Sequence, residues 1–313
     1  MADPEWERGV IERLASEGLK EQRRARRWGI FFKFLTFAYL TIFLLAVSDW
    51  KPDTELPDGS GHTALIDVDG VIEADGNVSA DNITDSLQQA FKDQSTKGVI
   101  LRINSPGGSP VQSGIIYDEI RRQRGLHPDI KVYAVVEDLC ASGGYYIASA
   151  ADEIYVDKAS LVGSIGVIMD QFGFVGSLDK LGVERRVLTS GENKAFLDPF
   201  SPLKPEHAAH AKQMLAEIHQ QFIDVVKKGR GGRLKESPEL FSGLFWTGAK
   251  SIELGLADHF GNVESVARDV IKAENIIDYT QKESLAERFA KRFGTTMAEA
   301  LSGVLTKQGI SLR

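Results

Sequence analysis

One serine of the sequence stands where a nucleophile could work. Ser142 lies in the segment Cys-Ala-Ser-Gly-Gly-Tyr-Tyr, after an apolar run typical of a buried strand, residues 131–136, and before a small-residue run that predicts a helix, residues 147–151. A serine at such a turn points its hydroxyl over the unpaired N–H groups of a helix N-terminus, which stabilise developing negative charge. The position also suits a helix N-cap, so this segment alone leaves both roles open.

A second pair of glycines follows another predicted strand. Residues 98–104 form an apolar run that leads into Ser-Pro-Gly-Gly-Ser at residues 105–109. Because the carboxyl ends of parallel strands meet at one edge of a sheet, the N–H groups of Gly108 and Gly143 could converge on one carbonyl oxygen as an oxyanion hole. Pro-Gly-Gly is also common in ordinary tight turns.

The base that such a serine needs is not obvious among the six histidines, none of which lies between Ser142 and residue 206. A histidine base stays open, since triads occur in several chain orders. Lys194 is the better candidate, because it follows a predicted strand, residues 183–188, and precedes apolar residues, so it could lean into a desolvated cleft. Desolvation lowers a lysine pKa, as a general base requires, although a single lysine is ordinarily a solvated surface charge. Three neighbouring lysines are placed less favourably: Lys158, Lys180 and Lys204.

The single cysteine, Cys140, excludes an intramolecular disulfide. It lies two residues before Ser142 and is imaginable as a thiol nucleophile. It precedes the Gly-Gly turn rather than standing at it, so we predict a small buried residue.

Four segments together resemble a known family. Their sequences are Ile-Asn-Ser-Pro-Gly-Gly, Ala-Ser-Gly-Gly-Tyr-Tyr, Gly-Ser-Ile-Gly-Val and Ser-Gly-Glu-Asn-Lys, at residues 103–108, 141–146, 163–167 and 190–194. In order and spacing they are similar to the short bacterial form of signal peptide peptidase A, and four motifs in register are far more specific than one. The resemblance spans roughly residues 62–270. Residues 245–258 also resemble the closing helix of that family, with Thr247 as N-cap and Gly255 as C-cap.

The resemblance implies a membrane-anchored serine peptidase with a Ser/Lys dyad on a ClpP/crotonase-like fold. It implies Ser142 as the nucleophile, Lys194 as the general base and Ser164 as the serine that hydrogen-bonds the lysine amine. Gly108 and Gly143 would donate the oxyanion-hole hydrogen bonds. The implied substrates are remnant signal peptides, and the implied assembly is a homo-oligomeric ring in which serine and lysine come from neighbouring copies. We expect neither a cofactor nor a metal.

Two other classes of function stay open. A crotonase-type acyl-CoA enzyme shares the fold and an oxyanion hole of two N–H groups, but it has no need of a membrane anchor or of a serine at the Gly143 turn. The other class is a non-catalytic scaffold that organises membrane proteins. Peptide hydrolysis by the wild type and by Ser142→Ala separates them from a peptidase.

The N-terminal region predicts a membrane anchor. Residues 28–47 are apolar apart from Lys33 and two threonines, which is long enough to cross a bilayer as a helix. Five basic residues at positions 20–27 precede this stretch and mainly acidic residues follow it, so the N-terminus is expected in the cytoplasm and the globular part outside it, at a bacterial inner membrane. A cleavable signal peptide is the alternative, because residues 46–48 are small-x-small, but the length of the apolar stretch favours a retained anchor.

The rest of the chain predicts an α/β fold with largely parallel strands. At 313 residues and 42% apolar content the chain has room for one large core, and the net charge of −7 argues against nucleic acid as a partner. Strands are predicted at 63–68, 98–104, 131–136, 153–156 and 183–188, with a possible last strand at 276–279, and helices at 115–124 and 206–227. We divide the chain into a cytoplasmic segment (1–27), the anchor (28–48), a linker (49–61), the peptidase domain (62–275) and a helical tail (276–313).

Overall fold

The computed structural model describes residues 4–47, 61–235 and 237–281, which fall into two compact units. One unit contains helix α1, Pro4–Val47. Among the described residues, no helix is both long and apolar enough to cross a membrane. The predicted anchor, residues 28–48, extends beyond residue 43, where the described side chains of α1 end, and it stays a prediction. Most of the predicted linker and the tail beyond residue 281 lie outside the described residues.

The other unit is built on one mixed sheet. Its strands within residues 61–281 are β1 (His62–Asp69), β2 (Thr96–Ser105), β3 (Lys131–Ala141), β4 (Glu153–Val156), β5 (Leu161–Gly163), β6 (Phe245–Thr247), β7 (His259–Phe260) and β8 (Ile276–Asp278). The order is β6-β5-β3-β2-β1-β8, while β4 pairs with β3 and β7 with β4. All of these pairs are parallel except β5 with β6. The predicted α/β class with largely parallel strands is confirmed.

Helices follow most strands and close the crossovers. They are α2 (Ala80–Lys92), α3 (Pro110–Leu126), α4 (Gly143–Ala148), α5 (Val175–Leu181), α6 (Pro205–Arg230), α7 (Gly248–Glu253) and α8 (Val263–Ser265), with a 3-10 turn at Gly231–Arg233 and a π-helical turn at Val266–Ile271. Ser79 and Ser109 begin α2 and α3, because their hydroxyls accept the N–H groups of Asn82 and Gln112. Thr247 caps α7 as predicted, whereas the C-cap is Leu254 and Gly255 follows it with φ 75°.

The sheet is buried on both faces. Ile66, Leu101 and Val132 belong to the larger core, which packs against α2, α3, α4 and α6. Ile100 and Tyr133 point to the opposite face and pack against the region of α8 and the π-helical turn. A strand buried on both faces has no polar alternation, and for this reason β2 and β3 are apolar runs in the sequence.

The predicted strand at residues 183–188 is wrong. The segment is exposed along its whole length and pairs with no strand among the described residues. It belongs to the long connection between β5 and α6. We call residues 166–204 of this connection the arm. The arm contains α5, which ends at Gly182 with φ 64°. Apolar β-branched residues alone do not form a strand where no sheet edge is available to receive their backbone hydrogen bonds.

A buried histidine joins the start of β1 to the residue after β8. His62 Nε2 lies 3.0 Å from Tyr279 Oη and 3.3 Å from Thr96 Oγ1. Tyr279 donates its proton to Asp93, and Thr96 donates its proton to the Ala90 carbonyl. Both hydroxyls are therefore acceptors towards His62, so Nε2 carries the proton of a neutral ring. Burial lowers the pKa of His62 below its ordinary value of 6.5, and the attraction of Asp93 offsets this only in part.

We expect acid to weaken the fold through His62. A histidine with a lower pKa in the folded chain binds fewer protons there than in the unfolded chain, so its contribution is complete above about pH 6.5 and is lost as the pH falls through the folded pKa. His62→Gln keeps a donor and does not titrate, so the free energy of unfolding should depend less on pH between about pH 7 and 5. Urea unfolding across this range measures the slope. An unchanged slope in His62→Gln would contradict the expectation.

Candidate active site

The turn between β3 and α4 holds Ser142 in a strained backbone conformation. Its φ is 50° and its ψ is −119°, values that non-glycine residues rarely adopt. Ser142 occupies the N-cap position of α4, but its side chain makes no capping hydrogen bond. Its N–H donates to the Gly163 carbonyl at 2.9 Å, and its own carbonyl accepts from the Tyr146 N–H at 2.9 Å. Hydrogen bonds thus fix the backbone N–H and C=O groups of Ser142, while its hydroxyl does not cap the helix.

Two unused backbone N–H groups lie side by side next to Ser142. The loop after β2 packs so closely on the segment after β1 that a Cβ added to Gly108, whose φ is 151°, would lie 2.1 Å from the Ile72 carbonyl oxygen. A Cβ added to Gly143 would lie 3.2 Å from the amide nitrogen of Gly108, so the two amides are neighbours. Within the described part of the chain, neither N–H donates to a backbone acceptor. A pair of this kind can stabilise an oxyanion.

A cavity of about 540 Å³ opens in front of these groups. Ser142, Gly143 and Gly108 line it together with Ser164. Ser164 is placed there by the register of β5 on β3, which pairs Gly163 with Ala141 and so brings the next two residues, Ser164 and Ser142, to the same edge. Ser164 is also strained, with φ 52°, and its N–H donates to the Leu244 carbonyl at 2.8 Å.

One wall of the cavity is apolar. Tyr146 of α4 and Phe222 of α6 line it with ring centroids 5.1 Å apart, and Ile218 extends the same face of α6. Burial raises the pKa of Tyr146, which keeps its hydroxyl neutral. Sequence reasoning missed Phe222 and Ile218, because the apolar face of α6 could equally have packed wholly into the core.

The structure does not bring Lys194 into this cavity. Lys194 lies in a turn of the arm, where its N–H donates to the Gly191 carbonyl at 3.0 Å, and its side chain is exposed. In the single chain Lys194 is thus solvated rather than in a desolvated cleft, and its role as the base stays a prediction. All six histidines are in the described part of the chain, and none of them lines the cavity; no described lysine lines it either. The described residues of one chain thus leave Ser142 without an amine or imidazole base beside it.

Comparison with known proteins identifies the family of the chain. The model of "Peptidase family S49" matches residues 125–276. The protein named "Putative protease MJ0651" of Methanocaldococcus jannaschii is 31% identical over 215 residues, which are 69% of this chain and 67% of that protein. The chain belongs to peptidase family S49. The S49 match includes Ser142, Ser164 and Lys194 but begins after Gly108.

Other relatives differ in length from this S49 chain. The protein named "Putative signal peptide peptidase SppA" of Enterococcus faecium is 32% identical over 199 residues, 64% of this chain and 57% of that protein. The protein named "Na(+)/H(+) antiporter NhaA" of Brucella abortus (strain 2308) is 47% identical over 216 residues, 69% of this chain and 29% of that protein. The chain therefore spans less than two thirds of the length of both relatives.

Cys140 lies in β3 close to Ser142 but has no access to the cavity. Its side chain is fully buried, and burial strongly raises the pKa of the thiol. Because the thiolate is the reactive form, Cys140 is not a nucleophile in this S49 domain, and the prediction of a small buried residue is confirmed.

A buried ion pair that sequence reasoning missed supports the far side of α4. Arg230, at the end of α6, is 1% exposed and donates two hydrogen bonds to Asp258, at 2.9 and 2.8 Å. It also donates to the Gly255 carbonyl at 2.8 Å, while Tyr145 of α4 donates to the Leu256 carbonyl at 2.8 Å. Residues 255–258 therefore tie α6 to the helix that begins at the nucleophile candidate. An arginine in the last turn of a helix is ordinarily exposed, so its burial had no signal in the sequence.

Proposed function

We propose that the protein is a membrane-anchored serine endopeptidase with Ser142 as nucleophile and Lys194 as general base. The observation that carries the proposal is the geometry of Ser142, a strained serine whose hydroxyl is not a cap and which opens on a cavity beside two unused N–H groups. Attack of Ser142 Oγ on a peptide carbonyl would place the oxyanion against the N–H groups of Gly108 and Gly143. The neutral amine of Lys194 would take the serine proton and return it to the leaving amine, and water would then hydrolyse the acyl-enzyme.

We further propose that the lysine of each site comes from a second copy of the chain. The arm that carries Lys194 exposes several large apolar side chains, namely Ile168, Phe172, Leu181 and Leu188. Leu188 is 99% exposed. Exposed apolar surface of this extent favours an interface with another chain. A second copy that covered the arm would desolvate Lys194 and bring it to Ser142. Ser164 lines the same cavity and would accept a hydrogen bond from the amine and orient it.

The proposed substrates are peptides with small or apolar residues at the cleaved bond. The wall formed by Tyr146, Phe222 and Ile218 favours such side chains, because charged groups would lose water there without a partner. Remnant signal peptides have this composition, and the Enterococcus faecium relative bears the corresponding name. The stretch at residues 28–48 would hold the domain at the outer face of a bacterial inner membrane, with the N-terminus in the cytoplasm.

Covalent labelling of the full-length protein tests the proposed nucleophile. A fluorophosphonate should modify wild-type protein at Ser142 and block its hydrolysis of an apolar peptide, because the probe mimics the tetrahedral intermediate. Ser142→Ala should lose both labelling and hydrolysis. Ser149→Ala, at the other end of the same short helix, should keep both. Turnover of an acyl-CoA thioester without labelling would favour the crotonase-type alternative, and absence of all three activities in the assembled wild type would favour a scaffold.

A further inference from the structure

One histidine contacts the turn of Lys194 on both sides. His207 lies in the first turn of α6 and is 6% exposed. Its Nδ1 accepts the N–H of Leu197 at 3.4 Å, and its Nε2 lies 3.2 Å from Asn193 Oδ1. Asn193 directly precedes Lys194 and Leu197 follows it by three residues, so the two contacts bracket the lysine.

These contacts fix the protonation state of the ring. A backbone N–H can only donate, so Nδ1 of His207 must carry a lone pair. The proton is then on Nε2, which donates to the carboxamide oxygen of Asn193. A proton added to Nδ1 would set two donors against each other and break the contact with Leu197. Only neutral His207 can hold both sides of the turn.

The turn needs such support. Leu197 has φ 51°, a conformation that persists in a non-glycine residue only when its surroundings enforce it. Phe196 packs on the ring of His207 with centroids 5.1 Å apart, and on His210 at 5.6 Å. Elsewhere the turn is closed by its own backbone, through Lys194 N–H to Gly191 and Phe196 N–H to Asn193. His207 thus connects a locally bonded, exposed loop to the long helix α6.

We propose that His207 is a positioning residue that fixes the place and reach of Lys194 on the arm. The inference rests on the proposed function, in which Lys194 is the general base. Because His207 makes both contacts, loss of either contact would release the turn and displace Lys194. The titratable and charged groups around the ring are Glu192, Asp198 with its partner Arg185, and Lys204 from the arm, and His210 from α6.

Three variants of the full-length protein test this role. His207→Ala removes both contacts and should lower kcat for peptide hydrolysis by about 10- to 100-fold with little change in KM, because a base displaced by about 1 Å loses rate rather than substrate affinity. His207→Asn places a carboxamide oxygen near the Nδ1 position and should recover part of the loss. His210→Ala removes the other ring on Phe196 but neither hydrogen bond, and it should keep wild-type kcat.

The melting temperature separates positioning from stability. A structural role alone would lower the melting temperature of His207→Ala and leave kcat of the folded enzyme unchanged. Recovery of the melting temperature in His207→Asn without any recovery of kcat would therefore overturn the proposal. Equal kcat in His207→Ala and wild type, together with an inactive Lys194→Ala, would overturn it while the proposed function stands. Full activity in Lys194→Ala would overturn both.

Discussion

Ser142→Ala and Lys194→Ala should each lower peptide hydrolysis by about 10³-fold or more, and a mixture of the two inactive variants should regain activity. Nucleophile and base act as a unit, so loss of either removes most of the rate. The structure gives a reason to expect complementation: Ser142 lines the cavity, whereas Lys194 lies on the exposed arm and does not. A site that takes its serine from one copy and its lysine from the next can be intact when each copy lacks one of them.

The expected recovery has a definite size. When equal amounts of the two variants assemble at random, a site works if the serine-bearing position and the lysine-bearing position are both intact, which occurs in roughly a quarter of sites whatever the number of copies. Co-expression followed by hydrolysis assays on the assembled protein measures this. The matched control mixes wild type with the double variant, which should also give roughly a quarter if sites are shared and roughly a half if each chain builds its own site. No recovery in the first mixture, with a half in the second, would refute a shared site.

Arg230→Met should destabilise the domain by about 3 kcal/mol, because it removes both hydrogen bonds of a buried cation to Asp258 and leaves this carboxylate with the partly exposed Arg233 as its only cationic partner among the described residues. Burial by itself raises the pKa of Asp258, but the hydrogen bonds and charge of Arg230, with the N–H of Ile154 and the charge of Arg233, outweigh burial and hold the pKa below its ordinary value. Without Arg230, Asp258 keeps its contact with Arg233 at 3.2 Å, but a cation that is 40% exposed offsets less of the desolvation of the carboxylate. The free energy of unfolding in urea measures the loss.

An exposed ion pair supplies the control for Arg230. Arg268 pairs with Asp269, and both side chains are more than half exposed, so Arg268→Met should cost no more than about 1 kcal/mol. The double variant Arg230→Met/Asp258→Leu should be less destabilised than the sum of its single variants, because no unpaired charge remains. If Arg230→Met were as stable as Arg268→Met, the buried pair would not be a major support of the fold.

The centre of the fold could be predicted from the sequence because burial leaves a local signal there. The apolar runs at 63–68, 98–104 and 131–136 lie within β1, β2 and β3, and the predicted helix at 206–227 lies within α6. Strand β8 could also be predicted, since Ile276 and Ile277 are apolar residues among polar neighbours. In each case the apolar residues whose pattern predicts the element are also the residues that pack it into the core.

The arm and the lysine could not be predicted in the same way. Residues 183–188 have the composition of a strand, yet the sheet offers them no edge, so their apolar side chains remain exposed. The burial expected of Lys194 depends on surfaces that are not near it in sequence. Likewise β6 is only three residues long and pairs antiparallel with β5, a contact set by tertiary packing rather than by periodicity. The placement of Ser142 was predictable because a strand, a turn and a helix adjoin it directly.

The position of β8 in the sheet determines when the domain can fold during synthesis. Thr63 of β1 pairs with Ile276 of β8, so nearly the whole domain must leave the ribosome before the outer edge of β1 is covered. Until then β1 presents a row of unpaired N–H and C=O groups to any other strand nearby. Closing so distant a contact is also slow, because its loop-closure entropy must be lost before the pairing is gained. The growing chain therefore passes through a long period with an open β1 edge, and a chain that stops before residue 276 keeps that edge exposed to pairing with other nascent chains.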